Sequence, residues 1–177
     1  MAKEVAEIFS KHIFSSKYED LSEKTIKQLK VFLLDTIGVG IAGSTGSKLN
    51  ELKKIAHTWS KGKNCTVLGT WDRYSRDAST LINAYQIHCL EFDCIHEGAV
   101  VHPMAAILSS LLAHCEEINN LGHHTNGKEF LISLQTSLER KVLNIIFLLK
   151  KKVRKLSIIL MLVYHVQLIL SLSLIHI

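Results

Sequence analysis

LEFDCIHEGAVVHP, residues 90–103, is the stretch that decides how this chain reads. Its fourteen residues hold three carboxylates (Glu91, Asp93, Glu97), two histidines (His96, His102), one thiol (Cys94) and the only proline of the protein. Upstream, 77–90 (DASTLINAYQIHCL) predicts a helix. Downstream, 103–118 predicts another, with Pro103 at its first position, where a missing N–H costs nothing. The polar cluster therefore falls on the end of one helix and a glycine-containing connection into the next. Loops held between rigid elements can aim several side chains at one small molecule.

Working outward, helical spacing dominates. Asp20 with Glu23 predicts a capping box opening a long helix, along which Ile26, Leu29, Phe32, Leu33 and Ile37 recur at helical intervals. After Leu33 that helix is apolar nearly all round and carries Gly38, Gly40 and Gly43, which predicts burial and close approach by another backbone. The segment lacks the Lys-Ser/Thr pair of a phosphate loop, so its glycines read as packing. A third helix is predicted over 49–61, and 61–75 is the one non-helical stretch, with a short extended piece at 65–68. Residues 119–126 form a loop and 127–134 open a further helix. Almost nothing alternates with period two, so the predicted fold class is all-α.

Charge and composition break the chain in two. All 16 acidic residues lie in 1–139 with 14 Lys and Arg, whereas 140–177 has seven Lys and Arg, no Asp, Glu, Gly, Ala or Pro, and 23 of 38 residues from Leu, Ile, Val, Met and Phe. Residues 1–134 are thus expected to form the folded part and 135–177 a separate apolar, basic tail. One reading makes the tail a membrane anchor, since 156–175 is long enough to span a bilayer behind KKKVRK. The other makes it out-of-frame sequence. Its Lys, Ile, Leu and Asn are what A/T-rich DNA encodes, and LSLIHI matches a translated frame of a transposon-end sequencing adapter. His165 and Gln167 near the middle of the span favour the second. A basic tail whose apolar bulk is relieved by a single tyrosine does not make a nucleic-acid surface. The first residues form a charged amphipathic helix rather than a signal peptide, so the four cysteines are expected to be reduced thiols in the cytoplasm.

Cys89, Cys94, His96 and His102 have metal-ligand side chains but not the compact spacing of structural zinc pairs, and no metal is expected. Nucleophilic catalysis by Cys94 has no further support in the chain. General acid–base work fits better, because histidine titrates near neutral pH and carboxylates and helix ends tune it. His102 is predicted to be the N-cap of the helix begun by Pro103. There the helix dipole disfavours an imidazolium and attracts an anion such as a substrate carboxylate.

The same stretch resembles the MmgE/PrpD family, which includes 2-methylcitrate dehydratase, cis-aconitate decarboxylase and iminodisuccinate epimerase. The similarity runs in order through DTIGVGIAGS (35–44), VLGT (67–70), NAYQIHCLEFD (83–93), AVVHP (99–103) and GKEFL (127–131), about 100 residues in all. It implies the N-terminal part of an all-α domain, truncated relative to the family enzymes. It further implies a cofactor-free lyase or isomerase that moves a proton beside a carboxylate of a small di- or tricarboxylate, and a homodimer in the full-length enzyme. Matched to the family pattern D-F-D-D-T-H…H-P, His102 and Glu91 are the implied catalytic residues, with Asp93 and His96 binding substrate. Cys94 stands for an aspartate, Ile95 for the threonine and Glu91 for an aspartate one methylene shorter, departures that bear on which substrate is used. The resemblance stops at Leu134, and the fragment by itself is expected to be inactive. The competing classes are a membrane-anchored helical binding protein and a Cys/His metal-binding module.

Overall fold

A computed structural model describes residues 2–150, apart from Trp71. Among the described residues six α-helices follow in chain order: α1 (Ala2–Ser15), α2 (Glu23–Ala42), α3 (Leu49–Trp59), α4 (Arg76–His88), α5 (Pro103–Asn120) and α6 (Gly127–Lys150). The extended piece after α3 pairs as a two-stranded antiparallel hairpin, β1 (Cys65–Thr66) with β2 (Arg73–Tyr74), in which Cys65 faces Tyr74 and Thr66 faces Arg73. The all-α class holds.

The start of α2 differs from the predicted capping box. Ser22 is the N-cap, its side chain accepting the Thr25 N–H, while Asp20 accepts from the Lys17 N–H and closes a separate 3-10 turn over Tyr18–Asp20. A serine hydroxyl one residue before the helix satisfies the orphan amides that an aspartate further back cannot reach.

Helix α4 packs chiefly against α5 and α2. Ser79, Asn83 and Gln86 lie on one buried stripe of α4 at helical spacing. Ser79 Oγ donates to Cys65 O (2.9 Å), and Asn83 bridges Leu68 N (2.9 Å) and Thr66 O (2.9 Å). Gln86 Nε2 donates to Leu68 O (2.8 Å) and Gly40 O (3.0 Å). These side chains supply backbone partners that so short a hairpin cannot find within itself, and buried amides left without partners would be costly. Leu49, Leu52, Ala56, Val67, Ala78 and Ile82 form one apolar cluster beneath α3 and α4. A second joins α2, α5 and α6 through Leu29, Met104, Leu108, Leu131 and Leu134.

Gly43 lies against the backbone of α4, where a Cβ would stand 1.9 Å from Gln86 O. The expected close approach is real there, but the expected full burial of α2 is not. Val31, Leu34 and Ile41 lie exposed on its opposite side, and a Cβ on Gly38 would touch nothing within 4 Å. Among the described residues no single helix is long and apolar enough to cross a membrane. The tail segment read as an anchor, 156–175, lies outside the described residues.

Candidate active site

The connection between α4 and α5 forms because its two ends are fixed. Pro103 is buried at the first position of α5 with His102 as N-cap, as predicted, although the His102 side chain caps no amide. At the other end α4 stops at His88, and Glu91 reverses the chain with φ of 56°. That reversal folds Asp93 back beneath the last turn of α4. The loop then closes on itself through His96 N to Val101 O (2.9 Å) and Ala99 N to His96 O (3.1 Å), with Val100 at φ of 49°. A β-branched residue in the left-handed region is strained, by about 1–3 kcal/mol.

Asp93 is the centre of the arrangement. Its carboxylate is fully buried and lies between two imidazoles. His88 Nδ1 is 3.0 Å from Oδ1 and 3.2 Å from Oδ2, and His102 Nδ1 is 3.2 Å from Oδ2. His102 Nδ1 is also 3.2 Å from the Asp93 backbone oxygen. A carbonyl oxygen only accepts, so Nδ1 of His102 must carry the proton, and in the neutral ring Nε2 keeps its lone pair. The two rings meet edge to face, with centroids 5.0 Å apart. The hydrogen bond from His88 to Asp93 raises the His88 pKa above the ordinary histidine range against the opposing effect of burial, and the charges of Asp93 and Glu91 add to the rise.

Of the residues read from the sequence, His102 and Asp93 come together. Glu91 is exposed, with Oε1 3.6 Å from Nε2 of His88 rather than against His102. The carboxylate that orients His102 is therefore that of Asp93. His96 sits apart: its ring Nδ1 accepts the Ala99 N–H (3.1 Å), and it borders a cavity of about 720 Å³ shared with Ile8, Phe32, Met104 and Leu138. Neither His88, Asp93 nor His102 lines that cavity. Cys94 packs with the apolar cluster of α2 and α5, and burial pushes its thiol pKa up, which suits a packing role. Cys89 likewise sits within 3.7 Å of Gly43 O and 3.5 Å of Gln86 O.

His88 was not among the residues singled out from the sequence. Its signal in the sequence is its place in NAYQIHCLEFD, five residues before Asp93. With Asp93 and His102 it brings three potential metal-ligand atoms within 4.8 Å of one another. Of these, His88 Nδ1 already hydrogen-bonds the Asp93 carboxylate.

The structure thus defines a helical domain that presents one buried carboxylate between two imidazoles at a helix N-terminus. Residues 7–144 match the MmgE/PrpD N-terminal domain, and the chain belongs to that family. It is 28% identical over 126 residues to the cis-aconitate decarboxylase-like protein oryM of Aspergillus oryzae, covering 70% of this chain and 26% of that protein. It is 27% identical over 140 residues to the cis-aconitate decarboxylase of Homo sapiens, covering 78% of this chain and 29% of that one, and 26% identical to the Mus musculus counterpart, covering 78% and 28%. The chain therefore spans little more than a quarter of the length of these relatives. No solved structure matches it.

Proposed function

We propose that this domain supplies the acid–base corner of a lyase acting on a di- or tricarboxylate, with cis-aconitate the first substrate to try. The reading is supported by the double hold on His102 Nδ1, 3.2 Å from both the backbone oxygen and Oδ2 of Asp93. With that nitrogen engaged as donor, Nε2 is the atom that takes or returns a proton beside a substrate carboxylate. Asp93 stabilises the imidazolium when it forms, as a buried carboxylate does for other catalytic histidines. The chemistry asks for no cofactor, since a proton next to a carboxylate is acidified by neighbouring positive charge.

Glu91 serves as a second, solvent-accessible carboxylate coupled to His88. Ile95, half-exposed where the family pattern has threonine, removes a hydroxyl and leaves an alkyl surface, which shifts preference away from a substrate group that needs a hydrogen bond there. On this proposal further catalytic groups lie in the parts of the relatives that this chain does not match, since it spans 26% and 29% of the first two.

The test is His102→Ala in an enzyme carrying the complete family fold, assayed on a panel of tricarboxylates and hydroxy-dicarboxylates. Turnover should fall by about 10²–10⁴-fold, the usual contribution of a positioned acid or base. Near-normal turnover on any substrate the parent uses would sink the reading.

A further inference from the structure

We infer that His88, rather than His96, is the carboxylate-binding histidine of this site, with Asp93 serving as its counter-ion. The inference rests on the carboxylate-substrate reading above but names a residue that reading does not use. Geometry divides the claims on Asp93 unequally. His88 Nδ1 engages both carboxylate oxygens, at 3.0 and 3.2 Å. His102 Nδ1 hydrogen-bonds the Asp93 backbone carbonyl and only approaches one carboxylate oxygen, at 3.2 Å. The charge of Asp93 is therefore matched mainly by His88, while the carbonyl suffices to fix the His102 tautomer.

An imidazolium at His88, tied through Nδ1, has only Nε2–H left to donate. That atom lies 3.6 Å from an exposed carboxylate, that of Glu91. At that distance the pair attract each other without a formed hydrogen bond. Glu91 thus marks where a carboxylate lies against His88, and the His88 side chain keeps 23% of its surface open for one. The groups facing His88 are Asp93 and Glu91 from its own connection and His102 from the start of α5; the attraction of an anion to Nε2 depends on His88 remaining charged. His102 as base and His88 as anchor, 5.0 Å apart between ring centres, would hold a substrate whose carboxylate neighbours the reacting carbon.

The test uses the 177-residue chain, with tricarballylate as probe and ring nitrogen resonances of His88 and His102 as readout. Tricarballylate should move the Nε2 signal of His88 in the parent. His88→Asn keeps an N–H toward Asp93 but has nothing at the Nε2 position, and should weaken binding about tenfold or more, the value of one charge-assisted hydrogen bond. His88→Gln offers an N–H at the Nε2 position and should retain more affinity than His88→Asn. Glu91→Gln, which removes the internal competitor, should tighten binding several-fold. His96→Ala should leave it unchanged. Equal binding by the parent and His88→Asn, or loss of binding on His96→Ala alone, overturns the assignment, as does a parent that binds no tricarballylate. The affinity series does not depend on turnover, so it can fail while the His102 reading stands, and the reverse.

Discussion

The sharpest test of the architecture is a pair of glycine-to-alanine changes five residues apart in α2 and its C-cap. At Gly43 a Cβ would stand 1.9 Å from Gln86 O, 2.6 Å from its carbonyl carbon and 2.9 Å from its Cα. Ordinary contact begins at 3.4 Å, so α2 and α4 would have to part by about 1.5 Å, the difference between 3.4 and 1.9. The obstacle is backbone and cannot swing aside. Moving the helices that far also stretches the 3.0 Å bond from Gln86 Nε2 to Gly40 O beyond hydrogen-bond range. Overpacking costs about 1–3 kcal/mol and an unmet buried polar group about 1–3 more, so Gly43→Ala should lose roughly 3 kcal/mol or more. Gly38→Ala meets nothing within 4 Å and lies on the exposed side of α2. There alanine only improves helix propensity, by about 0.8–1 kcal/mol.

Thermal unfolding followed by far-ultraviolet circular dichroism separates the two. For a chain of this size each kcal/mol moves the midpoint by about 2–4 °C, so Gly43→Ala should melt roughly 6–12 °C lower and Gly38→Ala slightly higher than the parent. Equal midpoints for the two variants would refute the α2–α4 contact. The same contact sets the line of α4, and so the position of His88.

Three further outcomes follow from the same geometry. Because Asp93 raises the His88 pKa, the pair stabilises the fold fully below the ordinary histidine value and loses that contribution as pH rises through the raised one. The melting midpoint should fall over that window in the parent and not in Asp93→Asn, and an unchanged pH slope in the variant would contradict the pairing. Val100→Gly should raise stability by about 1 kcal/mol by relieving a left-handed valine that is already 59% exposed, readable as a higher urea midpoint; a lower midpoint would mean the strain is absent. The Cys65 thiol, pushed up to about 11 by burial and then by the charges of Glu116 and Glu117, should resist iodoacetamide at mildly alkaline pH until the chain unfolds, whereas rapid native-state labelling mapped by mass spectrometry would count against its burial.

The helices were legible because their signals are local. Pro103 marks the first turn of α5, and the spacing of Met104, Leu108 and Leu111 tells which side of it is apolar; all three lie in one core cluster. The glycines of α2 announced a close approach, but not which of them makes it. That depends on where Gln86 of another helix arrives, which no feature of 38–43 encodes. Asp20 and Ser22 are both residue types that cap helices, and only the path of the chain decides which one stands at the first orphan amide. The stripe of Ser79, Asn83 and Gln86 was invisible for the opposite reason. Polar residues at helical spacing read as a solvated face, and their partners are the backbone of a hairpin too short to show period two.

His88 is the instructive case, since its role arises from a turn rather than from a pattern. A histidine ending a helix and an aspartate five residues on would point apart if the chain simply left the helix in extended form. They meet because Glu91 adopts φ of 56°, a conformation that glutamate does not advertise. Once Asp93 is turned inward its carboxylate loses water entirely, and a buried charge must find donors or lose its ionisation. Two imidazoles, one at the end of α4 and one at the start of α5, lie within reach to meet that demand. Burial of Asp93 therefore draws Nδ1 of both His88 and His102 toward one residue, and this constraint, imposed by desolvation rather than by either histidine's own surroundings, leaves Nε2 of each ring turned away from Asp93.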